Sequence, residues 1–432
     1  PCLMANKISN FLKTLGPGIL FASTAIGVSH LVQSTRAGAE YGFDLLWLVL
    51  LTNLLKYPFF EYGSRYASAT GTSLIDGYKR IGNWMLWLYF IITLASMFFV
   101  TAAVGAVTAG FLDNLFGISS LIENGTFITT IVLFIICFMV LVLGKYNVLD
   151  KLIKIIGSTL LISTLLAFML TLFKGPAEQI SEFQTPEIWS TVGIGFMIAL
   201  MGWMPTAVDL STWNSLWTIE RIKETGYKPS LKETLLDFNF GYITSALLSI
   251  CFITMGAYLV FGTGKTMPDN SAGFANEVVN LYTITIGNWS YLIIAAAAFS
   301  IMFGTSIAVF DGYARSLKRT TELLFFRNNE ASDNRNIYII SLLILTIGGF
   351  IIIWKFGSSL LFLIDLAMTI SFLIAPLIAI INFRLVSKKY VDKGAIPPTW
   401  MKFLSWVGIV FLTGFSIFYI NLNFTKWLEA IF

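Results

Sequence analysis

The residues best suited to chemistry begin with His30, the only histidine of the chain, which closes the tetrapeptide Gly27-Val28-Ser29-His30. This tetrapeptide lies in the middle of an apolar segment long enough to cross a bilayer, and its residue types continue a helix poorly. A break there leaves backbone N–H and C=O groups unpaired in hydrocarbon, so a ligand, an ion or water must satisfy them. The pattern predicts a substrate site that includes Gly27, Ser29 and His30. The alternative is a kinked packing helix with a buried, hydrogen-bonded histidine.

A second apolar segment carries the same anomaly, at Met201-Gly202-Trp203-Met204-Pro205. Proline removes a backbone donor and clashes with the preceding turn, so we expect this helix to be interrupted as well. Met201, Trp203 and Met204 are therefore candidate substrate contacts, and the Met204 thioether joins the His30 imidazole as a candidate metal ligand. Trp203 either closes over a substrate or packs against a neighbouring helix.

Three ionisable residues inside apolar segments are candidates for coupling or charge relay, because such groups are costly in a membrane. Lys56 lies about 16 Å into its helix, near the bilayer midplane. It can pair with Asp209, replace a co-transported cation or attract the carboxylate of an organic substrate. Asp209 can balance a bound cation or face a vestibule. Asp365, about 10 Å into its helix, is placed to gate an outward-facing cavity or to relay protons.

Other charged residues and the cysteines carry less specific signals. Three pairs have the i,i+4 spacing of helix-surface salt bridges: Arg36/Glu40, Glu61/Arg65 and Asp311/Arg315. The three cysteines, Cys2, Cys137 and Cys251, lack the spacing of a metal site or a disulfide framework and are expected to be inert packing residues.

The elements that must position these residues are membrane helices. Hydrophobic residues make up 56% of the chain and charged residues 12%, and the mean hydropathy is +0.77, so the sequence predicts an all-α integral membrane protein. At about 20 apolar residues per crossing, eleven segments are expected: 16–42, 45–67, 84–112, 126–144, 149–173, 188–219, 239–262, 286–316, 337–354, 358–385 and 402–424. The links are short, so one transmembrane domain, 1–432, is expected.

Basic residues predict the orientation of these segments. Of 28 lysines and arginines, 21 fall on the side that holds the N-terminus and four on the opposite side. This bias places the N-terminus in the cytoplasm and the C-terminus outside, in a multi-pass protein of the cytoplasmic membrane. The basic residues form no single patch, so no nucleic-acid partner is expected, and no obligatory protein partner is evident.

The two interrupted helices lie five crossings apart and run in opposite directions. This arrangement indicates an inverted repeat of five plus five helices, with the ligand site where the two breaks meet. Repeat one spans about 16–173, repeat two about 188–385, and the helix at about 402–424 is additional. Two accidental kinks are the alternative. Phosphate loops, nucleophile elbows and zinc-ligand spacings are absent from the sequence, so neither an enzyme nor an ATP-driven pump is expected, and no resident cofactor.

Several short motifs resemble the Nramp (natural resistance-associated macrophage protein) family of divalent-metal transporters. They are Gly16-Pro17-Gly18, Ala37-Gly38-Ala39, Tyr41-Gly42, Leu45-Leu46-Trp47, Asn53-Leu54, Ala69-Thr70-Gly71 and Met204-Pro205. The similarity extends from about Leu15 to the end of the tenth segment. It implies a LeuT-type fold, and a role for the Met204 thioether and the Met201 carbonyl at the metal site.

The chain departs from the family where the family binds metal and moves protons. Gly27-Val28-Ser29-His30 replaces the family's Asp-Pro-Gly-Asn, so the aspartate ligand is missing and an imidazole takes the place of the amide. The family's histidine of the sixth segment is Ser211 here. Its acidic residues of the third segment correspond to Thr101 and Val104, so the family's proton route is not preserved.

These features support an Nramp-like secondary transporter that moves a divalent cation of the Mn²⁺ or Fe²⁺ type by alternating access, with H⁺ as a possible coupling ion. The alternative is a transporter of a small carboxylate-bearing organic solute held by Lys56, because the acidic ligand is missing. A sensor or scaffold is a third class, but the sequence has no soluble signalling domain.

Overall fold

The computed structural model describes residues 14, 16–143, 161–181, 183–326, 334–357 and 359–431, with side chains as far as residue 423. All regular elements among these residues are helical. In chain order the helices are α1 Pro17–Ala25, α2 Thr35–Tyr41, α3 Leu46–Thr70, α4 Leu74–Ile81, α5 Asn83–Phe116, α6 Gly125–Leu143, α7 Leu161–Lys174, α8 Thr191–Gly202, α9 Ser211–Thr225, α10 Leu231–Leu259, α11 Ser271–Ile286, α12 Tyr291–Phe325, α13 Arg335–Phe356, α14 Leu360–Leu385 and α15 Thr399–Ile431. Single turns are Ser29–Ser34 (π), Ile118–Leu121 (α), and Val208–Leu210, Asn288–Ser290 and Lys393–Ala395 (3-10).

The predicted membrane segments overlap these helices. Seven helices in the described part of the chain are long and apolar enough to cross a membrane. The first and sixth segments are not among the seven, because each is divided into pieces too short to span a bilayer alone. Helix α3, in the second segment, is not among them either, because polar residues such as Lys56 and Glu61 lower its hydropathy. The segment predicted at 149–173 is described only from Leu161 onward, and Cys2 lies outside the described residues. The total of eleven crossings therefore stays a prediction.

Several helix bounds differ from the predicted ones for identifiable reasons. The seventh segment was expected from residue 239, but α10 begins at Leu231, where Ser230 and Glu233 form a capping box. Charged residues in the first turns of α10 lower the local hydropathy, so a prediction based on hydropathy places the start of the helix too late. The amphipathic α4 and the short α11 were not predicted, and α12 continues nine residues beyond the expected end at 316.

Burial separates central helices from peripheral ones. In α5, α10 and α12, 67% of the most apolar window is buried inside the protein, whereas the value is 28% in α6, α13 and α15. The peripheral helices point large apolar side chains outward, as Trp354 and Trp406 do. Exposed apolar side chains are stable when lipid surrounds them. The protein therefore consists of a central group of helices with a lipid-facing layer around it.

The first membrane segment packs directly on α10, and glycines make the contact close. A Cβ atom placed on Gly18 would lie 2.0 Å from the carbonyl oxygen of Asp237, and one on Gly241 would lie 2.0 Å from the carbonyl oxygen of Gly18. The carboxylate of Asp237 also accepts hydrogen bonds from the backbone N–H groups of Gly16 and Gly18, at 3.2 and 2.7 Å. These bonds satisfy donors at the start of α1, which have no partner within the helix.

Candidate functional site

The first membrane segment is interrupted where the sequence predicts it. Helix α1 ends at Ala25, Ile26 and Gly27 are non-helical, and the chain then forms a π-helical turn, Ser29–Ser34, that leads into α2. Gly27 packs against α12, since a Cβ atom at this position would lie 2.6 Å from Cγ2 of Thr305. The contribution of Gly27 is thus close packing at the break.

The sixth membrane segment is interrupted as well. Helix α8 ends at Gly202, and the irregular stretch 203–207 and a 3-10 turn precede α9. In a continuous helix the N–H of residue 205 would bond to the carbonyl of Met201, but Pro205 has no N–H to donate. The peptide bond between Met204 and Pro205 is cis, and Met204 is fully buried.

The two breaks meet at Ser29. Its Oγ lies 3.0 Å from the carbonyl oxygen of Pro205 and 2.8 Å from Nδ1 of His30, and it also donates to the carbonyl oxygen of Ala25. Ala25 is the last residue of α1, and Pro205 follows α8 by three residues. Both half-helices therefore direct their carbonyl ends, the negative ends of their dipoles, toward one region at the centre of the fold.

His30 connects this region to α10. Its Nε2 lies 2.8 Å from the carbonyl oxygen of Ser245, a contact that assigns a hydrogen to Nε2. In the neutral imidazole Nδ1 is then an acceptor, and it faces Ser29. One hydroxyl hydrogen on Ser29 thus serves three acceptors, namely the two carbonyl oxygens and Nδ1. We call the oxygens of Ala25, Ser29 and Pro205 together with Nδ1 of His30 the acceptor cluster.

Lys56 occupies the other side of the second break and is fully buried. Its Nζ donates to the carbonyl oxygens of Met201, Gly202 and Thr206 at 2.6, 2.8 and 3.2 Å. An ammonium group has three donors and no acceptor. All three donors of Lys56 are therefore used by backbone groups of the break.

Asp209 lies one turn beyond the break, in the 3-10 turn before α9, and is 5% exposed. Its charge interacts with that of Lys56, although no salt bridge within 4.0 Å joins the two side chains. Three buried tyrosines, Tyr78, Tyr89 and Tyr313, lie within the electrostatic reach of Asp209. Lys56 and Asp209 thus place one basic and one acidic side chain beside the break without direct contact.

Trp203 is held by the tenth membrane segment. Its Nε1 donates to Oγ of Ser371 on α14 at 2.8 Å, and 5% of the residue is exposed. Of its two predicted roles, packing against a neighbouring helix matches this arrangement. Met201 reaches the site through its carbonyl oxygen, which Lys56 already uses.

Asp365 belongs to a separate charged network, which links α14 to the first membrane segment. Its Oδ1 accepts from Gln33 Nε2 at 3.0 Å and from Arg36 Nη1 at 2.8 Å. Arg36 also pairs with Glu40 at 3.2 Å, and its guanidinium lies 5.0 Å from the ring centre of Phe196 on α8. This network joins three helices that border the two breaks.

The three salt bridges predicted from i,i+4 spacing are all present, at 3.2 Å for Arg36/Glu40, 2.5 Å for Arg65/Glu61 and 2.8 Å for Arg315/Asp311. The prediction that these pairs lie on the helix surface is wrong for Glu61, Arg65 and Asp311, because these residues are at most 6% exposed. Each pair has a further partner on another element. Asp311, for example, accepts hydrogen bonds from Trp217 and Tyr338.

A conventional metal cage is missing from the described residues, which contain no group of three or more His, Cys, Asp or Glu side chains that could hold an ion. The groups that meet at the two breaks are backbone carbonyls, a hydroxyl and an imidazole, and the Met204 thioether is next to Pro205 in the chain. Sequence reasoning missed the carbonyl groups of Ala25 and Pro205, and it also missed Ser245. Every residue type has a backbone carbonyl, so the sequence does not show which carbonyls form a site. Only the predicted interruption of the helices indicated that some carbonyls there are free.

Comparison with known proteins agrees with this architecture. A family described as "Natural resistance-associated macrophage protein-like" (Nramp) matches residues 18–421. An uncharacterised protein of Pasteurella multocida, PM0681, is 34% identical over 94% of this chain and 91% of its own length. The divalent metal cation transporter MntH of Listeria monocytogenes is 23% identical over 95% of this chain and 90% of its own.

Solved structures show the same fold. The crystal structure of a mutant of the manganese transporter of Eremococcus coleocola aligns with a TM-score of 0.69 at 16% identity, covering 97% of this chain and 88% of that one. The interrupted first and sixth membrane segments, meeting at the centre, agree with a LeuT-type arrangement. With a family match over nearly the whole length of the chain, this protein belongs to the Nramp family.

Proposed function

We propose that this protein is a secondary transporter that moves a divalent transition-metal cation, of the Mn²⁺ or Fe²⁺ type, across the cytoplasmic membrane by alternating access. The moving elements in this proposal are the interrupted segments, α1 with α2 and α8 with α9. A related protein named as a divalent metal cation transporter and a similar fold in a manganese transporter support the substrate class.

The observation that carries the proposal is the acceptor cluster. It holds three groups that need a hydrogen or a cation and only one hydroxyl hydrogen among them. An excess of lone pairs at the negative ends of two half-helices attracts cations. Oxygen ligands with one imidazole suit Mn²⁺ and Fe²⁺, and the Met204 thioether, next to Pro205 in the chain, suits them better than Mg²⁺ or Ca²⁺.

A divalent cation also needs negative charge nearby, because carbonyls alone repay its desolvation poorly. In this proposal Asp209 supplies the charge from one turn away. It takes the place of the family aspartate that Gly27 replaces. If H⁺ is the coupling ion, it needs a route other than the third segment, where Thr101 and Val104 are uncharged.

The proposal includes the orientation and the repeats. The N-terminus faces the cytoplasm and the C-terminus the outside, as the distribution of basic residues favours. Repeat one, about 16–173, and repeat two, about 188–385, each contribute one interrupted segment that moves around the acceptor cluster, and the last segment lies outside both repeats.

Transport of a carboxylate-bearing solute finds less support. That hypothesis depends on Lys56 as the carboxylate-binding group, but the three donors of Lys56 are engaged by the carbonyls of Met201, Gly202 and Thr206. A substrate would have to displace these bonds before it could bind.

Mn²⁺ uptake into proteoliposomes tests the proposal. We expect wild-type protein to transport Mn²⁺, and Ser29→Ala and His30→Gln to lower uptake at least about tenfold, since each removes a ligand. Met204→Leu should also lower uptake, whereas the control Met139→Leu, on the lipid-facing surface of α6, should not. Wild-type vesicles without Mn²⁺ uptake, or unchanged uptake in correctly folded Ser29→Ala and His30→Gln, would contradict the proposal.

A further inference from the structure

The end of α8 and the non-helical stretch after it present three backbone carbonyl oxygens to a single point, and Nζ of Lys56 occupies that point. The distances from Nζ to the oxygens of Met201, Gly202 and Thr206 are 2.6, 2.8 and 3.2 Å. Nζ reaches them from α3, nearly 150 residues earlier in the chain. No acidic side chain lies within 4.0 Å of it among the described residues.

These oxygens need a partner because of the break. Helix ends leave their last carbonyls without intrahelical donors. Pro205 cannot donate to Met201, whose oxygen keeps only a long bond of 3.4 Å from the N–H of Met204. Thr206 lies in the non-helical stretch that follows. The end of a helix also carries a partial negative charge, so a cation stabilises it better than a neutral donor does. A small cation with three oxygen neighbours meets both needs.

We propose that the break in the sixth segment contains a cation site, distinct from the acceptor cluster, which the chain fills with its own ammonium group. Lys56 takes the position at which a free monovalent cation would otherwise bind. This inference goes beyond the proposed function, because it concerns a second cation that stays within the protein and is not transported.

This arrangement affects the working protein in two ways. A tethered cation loses no translational freedom on binding, so the site is filled at any ionic composition of the medium. The protein therefore needs neither Na⁺ nor K⁺ to close this break. Lys56 also links α3 to the end of α8, so the break keeps its shape while the acceptor cluster is empty or filled.

The inference is tested by removing the Lys56 side chain beyond Cβ and replacing the missing atoms with a small amine added to the buffer. Lys56→Ala deletes three methylene groups and the amino group, a volume that n-propylammonium can refill. We expect the thermal unfolding midpoint of purified Lys56→Ala to fall by several degrees in choline buffer, and to rise saturably when n-propylammonium is added.

Matched variants separate this effect from simple packing. Lys56→Met fills the volume without a charge, so its midpoint should also fall but should not respond to n-propylammonium, and wild-type protein should not respond either. A Lys56→Met midpoint equal to that of the wild type, or a Lys56→Ala midpoint indifferent to the amine, overturns the inference.

A second measurement applies if Lys56→Ala does not fold. Wild-type protein should have the same unfolding midpoint in Na⁺, K⁺ and choline buffers, whereas a strong dependence on Na⁺ or K⁺ would show that Lys56 does not fill the site. Lys56→Gln, which keeps two donors but no charge, should be less stable than the wild type. Because unfolding is measured without Mn²⁺, a failed transport assay leaves this result standing.

Discussion

Ser29 and His30 have two tasks at the centre of the molecule. One ring nitrogen of His30 is bound to the backbone of α10, and the other faces Ser29 at the crossing of the two breaks. The sequence left a ligand role and a packing role as alternatives. In the structure Nε2 has the packing role and Nδ1 belongs to the acceptor cluster, so the ligand role stays a prediction for Nδ1 alone.

The hydrogen bond between Trp203 and Ser371 leads to a prediction about the stability contributed by single residues. Trp203→Phe removes the donor of a buried hydrogen bond, and Ser371→Ala removes its acceptor. Ser371→Ala should lower the free energy of unfolding by about 1 kcal/mol, and Trp203→Phe by more, because it also removes buried ring volume. A double-mutant cycle in denaturant should show that the two losses are not additive. Fully additive losses would mean that the hydrogen bond contributes nothing to stability.

At the scale of elements, the first membrane segment and α10 behave as one packed unit. Backbone-to-backbone contacts hold both halves of the segment, through Gly18 and Gly241 near α1 and through Gly38 and Gly256 near α2. His30 adds a hydrogen bond to α10 between these contacts. An alternating-access motion of α1 therefore has to separate surfaces that are in close contact, or move α10 with it.

This packing predicts a large effect of one methyl group. Gly241→Ala places a Cβ atom 2.0 Å from the carbonyl oxygen of Gly18, so the helices must move apart, which typically costs about 1–3 kcal/mol or more. The expected result is a clearly lower unfolding midpoint and a lower yield of folded protein. Gly414→Ala on α15 is the matched control, since a Cβ atom added there would have no other atom within 4 Å, and its stability should equal or exceed that of the wild type. Equal stability of the two variants would refute the close contact.

For the whole molecule, the network around Asp365 ties the first membrane segment to α14 beside the two breaks. Arg36 is buried in this network, while the Asp365 side chain is one-third exposed. Such a pair contributes modestly to stability because water screens its exposed member. It can nonetheless bias the balance between two conformations, since about 1 kcal/mol changes a population ratio about fivefold. We infer that it favours the state in which α2 and α14 are in contact.

Cysteine accessibility measures this bias. In a protein without Cys2, a cysteine introduced at the fully buried Ser34 should react slowly with a membrane-impermeant maleimide. Asp365→Asn should increase this rate about fivefold, because it weakens the link between α2 and α14. Glu40→Gln is the control: it removes a partner of Arg36 that lies on the same helix, so the rate should change little. Equal rates in the two variants would exclude a gating role for Asp365.

Much of the architecture could be predicted from the sequence because its causes are local. Long apolar runs predicted the membrane helices, and the residue types at 27–30 and 201–205 predicted both interruptions. The inverted direction of the two interrupted segments placed their meeting point at the centre, where Ser29 contacts Pro205. The sequence analysis missed the capped start of α10 and the short helices α4 and α11. Charged and polar residues in these turns lower the local hydropathy below that of a membrane segment.

The sequence by itself determined that this chain is a multi-pass membrane protein of the Nramp type with two broken helices, and it singled out Lys56, His30 and Asp365 as unusual. Only the tertiary structure decided what these residues bind. Lys56 and His30 find backbone carbonyls, and every residue type carries the same carbonyl. Asp365 finds Gln33 and Arg36, more than 300 residues away in the chain. Such partners are set by how helices cross, and crossing geometry has no local signal in the sequence.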